Sequence, residues 1–131
     1  MSDENIDVVR RVYDAMKTRD ADAMRELFAD DVHFWQSPEL PWGGDYAGHD
    51  GAFTFFLTLV EHIDSQVTTE NLFVAGDHVV QTGRTRGSVV ANGASFDIAE
   101  VYVWEVRAGK VVAFRAYIDT PVMLEALGGG N

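Results

Sequence analysis

Residues 94–119 read ASFDIAEVYVWEVRAGKVVAFRAYID, and this stretch decides the fold. It contains two apolar runs joined by a turn signal, Ala-Gly at 108–109, which is typical of a hairpin between antiparallel strands. Glu100 interrupts the first run and Asp119 closes the second. A carboxylate within such a strand is costly to bury unless it is paired, hydrogen-bonded or held neutral. The stretch therefore predicts long paired strands that direct acidic side chains into an enclosed pocket.

The same period of two extends upstream of this hairpin. Turn signals containing Gly76 and Gly93 separate further apolar runs, so each run pairs with the next one along the chain. Consecutive strands joined by tight turns form an antiparallel meander. We expect its strands at about 65–75, 78–91, 94–107 and 110–119.

The first half of the chain shows helical spacing instead. Ser2 or Asp3 can cap a first helix, and Asp20 or Asp22 a second. Helices followed by one long antiparallel sheet predict a single α+β domain over residues 1–131, with three helices from the N-terminal half packed on the sheet. The remaining expected elements are a short strand over Val32–Gln36, a third helix over His49–Ile63 and a last short helix over Pro121–Leu127.

Composition excludes several classes of function. The formal net charge of -11 argues against nucleic acid and an anionic membrane as partners. The absence of cysteine excludes disulfides and thiolate chemistry, and the four histidines show no metal-ligand spacing. No apolar run approaches the ~20 residues of a membrane span, and the N-terminus lacks the pattern of a signal peptide. We therefore expect a cytoplasmic protein without a metal or cofactor.

Both faces of the strand at 94–107 are apolar in the middle, so both are expected to be covered. Three helices can cover only one face of so long a sheet. The other, outer face is predicted to be the interface of a homodimer, because symmetric dimers are the commonest oligomers.

Alternation along the strand at 78–91 places Arg84 and Arg86 on one face. If that face is concave, the two arginines meet Glu100, Tyr102 and Asp119 across neighbouring strands. In the functional interpretation, Asp119 is a general base, Glu100 a general acid, and Arg84 orients and polarises. In the structural interpretation, the charged groups only satisfy one another and hold the sheet together.

Several other side chains are candidates for contact with a ligand. Gln36 ends the first strand and can hydrogen-bond a carbonyl or a water. Trp42 and Tyr46 lie on the loop before the third helix and could close the pocket mouth, with a mobile lid as one alternative for this loop. The expected lining residues are Phe34, Phe56, Arg86, Tyr102 and Tyr117.

The last strand leaves two registers open. Strict alternation places Arg115, Tyr117 and Asp119 together, with Phe114 and Ile118 on the opposite face. The alternative sends Ile118 inward, and a β-bulge would reconcile the two.

The helices, the meander, the Phe-Ala-Asp-Asp segment at 28–31 and Ala-Tyr-Ile-Asp at 116–119 together resemble a known family. The chain is similar to the SnoaL-like branch of the nuclear-transport-factor-two-like superfamily. The resemblance implies a cone-shaped α+β domain with a curved, mostly antiparallel sheet. That superfamily includes ketosteroid isomerases, limonene-type epoxide hydrolases, polyketide cyclases and plain binding domains, so the fold leaves the activity open.

The resemblance can be carried over residue by residue. In the ketosteroid isomerase pattern the general base falls on Gln36, and Glu100 falls on the acid of the oxyanion hole. The oxyanion-hole tyrosine falls on Val12, and the neighbouring Tyr13 is expected to point elsewhere on the helix. In the epoxide hydrolase pattern Asp119 matches the water-activating aspartate and Arg84 the bridging arginine. In the cyclase pattern, Asp119 matches the acid/base.

Two functional hypotheses remain. The first is a cofactor-free enzyme acting on a small hydrophobic molecule by hydration or hydrolysis, isomerisation or cyclisation. The second is a non-catalytic binding domain in which the arginine and carboxylate network is structural.

Overall fold

The computed structural model of the chain describes residues 2–128. It contains four helices and six strands in this range, which confirms the predicted α+β class. The helices are α1 Ser2–Thr18, α2 Ala21–Leu27, α3 Gly48–His62 and α4 Thr120–Ala126. The strands are β1 Phe28–Gln36, β2 Gly44–Ala47, β3 Ile63–Ala75, β4 His78–Val89, β5 Ser95–Arg107 and β6 Lys110–Ile118.

The six strands form one curved, mixed sheet in the order β2-β1-β6-β5-β4-β3. Strands β3 to β6 are the predicted antiparallel meander, whereas β1 lies parallel to β6. Two differences from the sequence prediction concern the first half of the sheet. Strand β1 begins at Phe28, four residues before the expected Val32, and β2 was not predicted because its four residues carry no apolar alternation.

Helix capping follows the sequence in part. The Asp20 carboxylate accepts a hydrogen bond from the Ala23 amide at 3.1 Å, so Asp20 caps α2. The side chains of Ser2 and Asp3, expected to cap α1, lie outside the described part of the chain. No side chain caps α3; Gly48 begins it with a positive φ of 76°, a conformation that a residue with a Cβ rarely adopts.

Alternation along the strands divides the sheet into an inner face, which packs against the helices, and an outer face. Gln81, Gly83 and Glu100 lie on the inner face. Strand β6 has one extra residue opposite Glu105 and Val106, which shifts the register of the residues that follow it in β6. This β-bulge, at Val112, resolves the register of β6. Phe114, Ala116 and Ile118 lie on the inner face, whereas Arg115, Tyr117 and Asp119 do not.

An aromatic cluster forms the centre of the core. Phe34 is fully buried, and its ring contacts those of Phe56, Trp104 and Phe114 at centroid distances of 5.3, 6.2 and 5.0 Å. These rings come from four different elements, so the cluster joins α3 to the inner face of β1, β5 and β6. Edge-to-face contacts of this kind add to the free energy of apolar burial.

Gly83 lies on β4 beside the backbone of its neighbour β3. A Cβ at this position would lie 1.9 Å from the carbonyl oxygen of Thr68 and 3.1 Å from Oε1 of Glu100. Gly83→Ala should therefore destabilise the fold by about 1–3 kcal/mol, because a backbone carbonyl must move to make room. Urea denaturation measures the change, and Thr82→Ala, on the outer face of the same strand, is the matched control. Equal stabilities for Gly83→Ala and the wild type would contradict this account of the packing.

Candidate functional site

The carboxyl group of Glu100 is buried on the inner face of the sheet. Its side chain is 2% exposed, between the register partners Gly83 on β4 and Ile118 on β6. Gly83 has no side chain, which leaves space for the carboxyl group. Within residues 2–128, Oε2 of Glu100 has no hydrogen-bond partner although it is buried. A buried polar atom without a partner is rare in folded proteins and calls for an explanation.

The other carboxyl oxygen ends a chain of three hydrogen bonds. Trp104 Nε1 donates to the hydroxyl oxygen of Tyr13 at 3.0 Å, and the Tyr13 hydroxyl donates to Oε1 of Gln81 at 2.5 Å. Gln81 Nε2 then donates to Oε1 of Glu100. The chain joins α1, β4 and β5, and all its donors point toward the carboxylate.

Burial raises the pKa of Glu100 to about 7. The hydrogen bond from Gln81 opposes this shift, and the charge of Glu70 adds to it. Burial likewise raises the pKa of Tyr13 and of Tyr102 far above their ordinary value, so both phenols stay neutral near Glu100. At neutral pH Glu100 is therefore present in both its protonated and its ionised form.

Aromatic side chains lie on the same inner face as this carboxyl group. Tyr102, two residues along β5, packs against Phe114 at 5.2 Å between ring centroids, and Phe56 contacts Phe34. The structure thus brings Phe34, Phe56 and Tyr102, three of the predicted lining residues, to the same face as Glu100. Phe56 and Tyr102 are partly exposed, whereas Phe34 is fully buried.

The loop that carries Trp42 and Tyr46, one alternative for a mobile lid, packs against the core. Trp42 is 1% exposed, and its indole Nε1 donates to Oε1 of the buried Gln36 at 2.9 Å. The Tyr46 hydroxyl donates to the Trp42 carbonyl oxygen at 3.0 Å. Apolar burial of Trp42 and Leu40 outweighs the flexibility expected of a loop rich in proline and glycine.

The predicted inner network of arginines and carboxylates is wrong. Arg84 and Arg86 lie on the outer face and pair with Asp97, with Nε to carboxylate distances of 2.6 and 3.2 Å. The reason is parity, because Gln81 and Gly83 point inward and their even-numbered neighbours must point outward. The Arg84 guanidinium holds the pKa of the Asp97 carboxyl below its ordinary value. Asp97 was not predicted as the partner of the arginines, although alternation along β5 places its side chain on the face opposite to that of Glu100.

Two further candidates lie away from Glu100. The Asp119 carboxylate is exposed and caps α4, accepting a hydrogen bond from the Val122 amide at 3.5 Å. Tyr117 is 45% exposed on the outer face, where its ring contacts that of Trp35 at 5.4 Å. The inward placement of Asp119 was an error of register, because Phe114, Ala116 and Ile118 occupy the inner face instead.

The residues that contact Glu100 through hydrogen bonds were not predicted. Gln81 is a polar residue at an inward position of β4, and strand alternation alone signals it. Tyr13 was expected to point elsewhere, yet it reaches Gln81 across 68 residues of sequence. Val12, the position of the family tyrosine, is instead part of the buried core. Only tertiary packing brings α1 against β4 and β5.

Two open recesses lie elsewhere on the described surface. The larger, of about 560 Å³, lies between the start of α1 and the turns that follow β3 and β5. The smaller, of about 320 Å³, lies on the outer face beside His33, Trp35 and Asp45. Among residues 2–128, no three His, Asp or Glu side chains gather as metal ligands would, and no helix is long and apolar enough to cross a membrane.

The pH dependence of stability tests the environment of Glu100. Its carboxyl has an ordinary pKa of 4.5 and a raised pKa of about 7 in the fold, so the folded state binds the proton more tightly than the unfolded state. The stabilisation from that proton is complete below about pH 4.5 and is lost as the pH rises to about 7. Urea denaturation should show Glu100→Gln gaining about 2–3 kcal/mol relative to the wild type across this range.

Glu39→Gln, which removes an exposed carboxylate, is the control and should follow the wild type. A constant difference between Glu100→Gln and the wild type from pH 4.5 to 8 would show that the pKa of Glu100 is not raised.

Comparisons with known proteins agree on one family. A profile described as the SnoaL-like domain matches residues 9–114. An NTF2-like protein of unknown function from Burkholderia pseudomallei is 28% identical, with a TM-score of 0.86 and coverage of 97% of this chain and 98% of that one. No curated protein matches the chain.

Two structures with lower identity share the fold. A putative SnoaL-like polyketide cyclase from Jannaschia is 22% identical, with a TM-score of 0.85 and coverage of 100% of this chain and 95% of that one. TerC, co-crystallised with polyporic acid, is 21% identical, with a TM-score of 0.84 and coverage of 95% and 98%.

Proposed function

Because the chain belongs to the SnoaL-like domain family, we propose that it is a cofactor-free enzyme that acts on a small hydrophobic molecule by general acid/base chemistry. Glu100 is the group that transfers the proton. Reactions within its reach are isomerisation, cyclisation and hydration or hydrolysis. The names of two fold relatives, a putative polyketide cyclase and a protein crystallised with polyporic acid, suggest the compounds to try first.

One observation carries this proposal: Oε2 of Glu100 is buried, unpartnered and on the inner face beside aromatic side chains. A general acid or base works best when its pKa lies near the operating pH, and the pKa of Glu100 is raised to about 7. A carboxyl group in this state can remove a proton from one atom of a bound molecule and return it to another. The partly exposed Phe56, Tyr102 and Ile118 are proposed to form the approach to it.

The roles suggested by sequence for Asp119 and Arg84 lose their geometric support. Asp119 caps α4 and Arg84 pairs with Asp97 on the outer face, so neither accompanies Glu100. In this proposal Glu100 acts alone as acid and base, and its aromatic surroundings bind the apolar part of the substrate. The two displaced residues therefore serve as controls for the site.

Turnover can be sought by mass spectrometry with lipophilic epoxides, steroids, polyketide-like ketones and polyporic acid. We expect one class to gain or lose water, or to change retention time at constant mass. Glu100→Gln should lower turnover by at least ~100-fold, the usual contribution of a general acid/base. Asp119→Asn should retain it. Activity that survives in Glu100→Gln but is lost in Asp119→Asn would reject Glu100 and restore Asp119.

A non-catalytic binding domain is the alternative that the aromatic interior favours. The rings around Phe34 offer an apolar surface, and Gln36 already uses its Oε1 to accept from Trp42. In that case a compound would remain bound through gel filtration without conversion. Glu100→Gln would then change the affinity for that compound, and neither the variant nor the wild type would convert it.

We also propose a homodimer formed through the outer face. Val80 and Val103 are register partners in the middle of this face, and the cross-strand row continues to Phe73, which is 47% exposed. Arg115 and the Arg84–Asp97 pair bring both signs of charge to the same face. An apolar row beside mixed charges suits contact with a second copy better than contact with water.

Val103→Asp should convert the dimer to a monomer, because a two-fold axis would bury two unpaired carboxylates. Analytical ultracentrifugation measures the change, expected as at least ~100-fold weaker association. Leu57→Asp, at an exposed apolar residue of α3, is the matched control and should sediment as the wild type does. A wild-type monomer at all concentrations would exclude the dimer.

A further inference from the structure

The hydrogen bonds that lead to Glu100 satisfy every donor of the chain in only one direction. The indole N–H of Trp104 is a donor and cannot accept, so the Tyr13 oxygen accepts from it. The Tyr13 hydroxyl proton is then directed to Oε1 of Gln81, at 2.5 Å. Because the amide oxygen of Gln81 is occupied in this way, its NH₂ group faces Glu100. A tryptophan on β5 thus determines the orientation of an amide on β4.

This orientation has a consequence for the two oxygens of Glu100. Oε1 accepts an N–H from Gln81, so a proton on Oε1 would be directed against the hydrogens of the amide. Oε2 has no partner among the described residues and lies away from the amide. The protonated form of Glu100 therefore carries its proton on Oε2.

We propose that Tyr13 and Gln81 are positioning residues that confine the exchangeable proton of Glu100 to Oε2, the oxygen that no described side chain or backbone group contacts by a hydrogen bond. The catalytic value of this arrangement rests on the proposed function. In the reaction, the Oε2–H bond breaks as the proton passes to an acceptor atom of the substrate, leaving a carboxylate that Gln81 stabilises at Oε1. The carboxylate then takes a proton from a second atom of the bound molecule, whose bond to hydrogen breaks as the Oε2–H bond forms again. Tyr13 and Gln81 act through Glu100 and need not touch the substrate.

The titratable groups that face Glu100 come from three elements. They are Tyr13 of α1 and Tyr102 of β5, both neutral because burial raises their pKa, and Glu70 of β3. The four histidines interact elsewhere: His33 with Asp45, His49 with the Phe28 carbonyl, His62 with the Thr58 carbonyl and His78 with Glu105. A transition near pH 7 along the hydrogen-bond chain therefore reports Glu100.

The wild-type protein contains its own control. Trp42 donates to Gln36 just as Trp104 donates to Tyr13, but the Trp42–Gln36 pair has no link to Glu100. In an NMR titration, the carboxyl carbon of Glu100, the side-chain amide of Gln81 and the indole N–H of Trp104 should share one midpoint. The indole N–H of Trp42 should not follow it. A Trp104 signal that fails to move with Glu100 would overturn the proposal.

Two variants test which residue sets the position of the proton. Tyr13→Phe removes the donor to Gln81, so the amide can turn and offer its oxygen to a proton on Oε1. Gln81→Leu removes the donor to the carboxylate altogether. Both should raise the pKa of Glu100 by about one pH unit, the expected effect of one hydrogen bond to a charged group. Tyr46→Phe removes a part-buried hydroxyl that bonds to Trp42 and should leave that pKa unchanged.

The titration is made without substrate, so its outcome is independent of whether an activity is found. An unchanged Glu100 midpoint in folded Tyr13→Phe would overturn the positioning role even if the protein is an enzyme. A raised midpoint without any turnover in the wild type would support positioning and reject the proposed function. Where turnover is found, its pH profile should move with the midpoint in both variants. If Gln81→Leu fails to fold, Tyr13→Phe and the wild-type titration decide.

Discussion

The hydrogen bond from Gln81 to Glu100 is the contact on which the buried polar chain of this protein depends. It gives a buried carboxyl group one partner and leaves the second oxygen without any among the described residues. Removing a carboxylate from water costs several kcal/mol unless its charge is compensated, and here one neutral amide supplies the compensation. The charge is therefore only partly stabilised, and the pKa of Glu100 rises to about 7.

The surrounding fold makes this arrangement possible in specific ways. Gly83 provides the space that a larger residue would fill, and Gln81 reaches the carboxyl group from the same strand. Tyr13 and Trp104 satisfy the far end of the chain, so no member of it except Glu100 has a buried polar atom without a partner. A polar network inside an apolar core is most stable when its members are satisfied, and Oε2 of Glu100 is the exception among the described residues.

The outer face follows a different electrostatic rule. Arg84 and Arg86 pair with Asp97 where water screens them, and such exposed pairs contribute little to stability. Arg84 and Arg86, which the sequence suggested for the interior, thus lie on the surface. Burial raises the pKa of Glu100, and among the described residues no neighbouring cation offsets this effect.

The sequence by itself determined the class of fold, the meander and the inward placement of Glu100, because period-two alternation and turn signals are local properties. It also identified Phe34, Phe56 and Tyr102 as part of the interior. It did not determine which face of β4 or β6 points inward. That choice depends on which face of the sheet packs against the helices and, for β6, on the bulge at Val112. The partners of Glu100 were decided by tertiary structure alone, since Tyr13 and Gln81 meet across 68 residues.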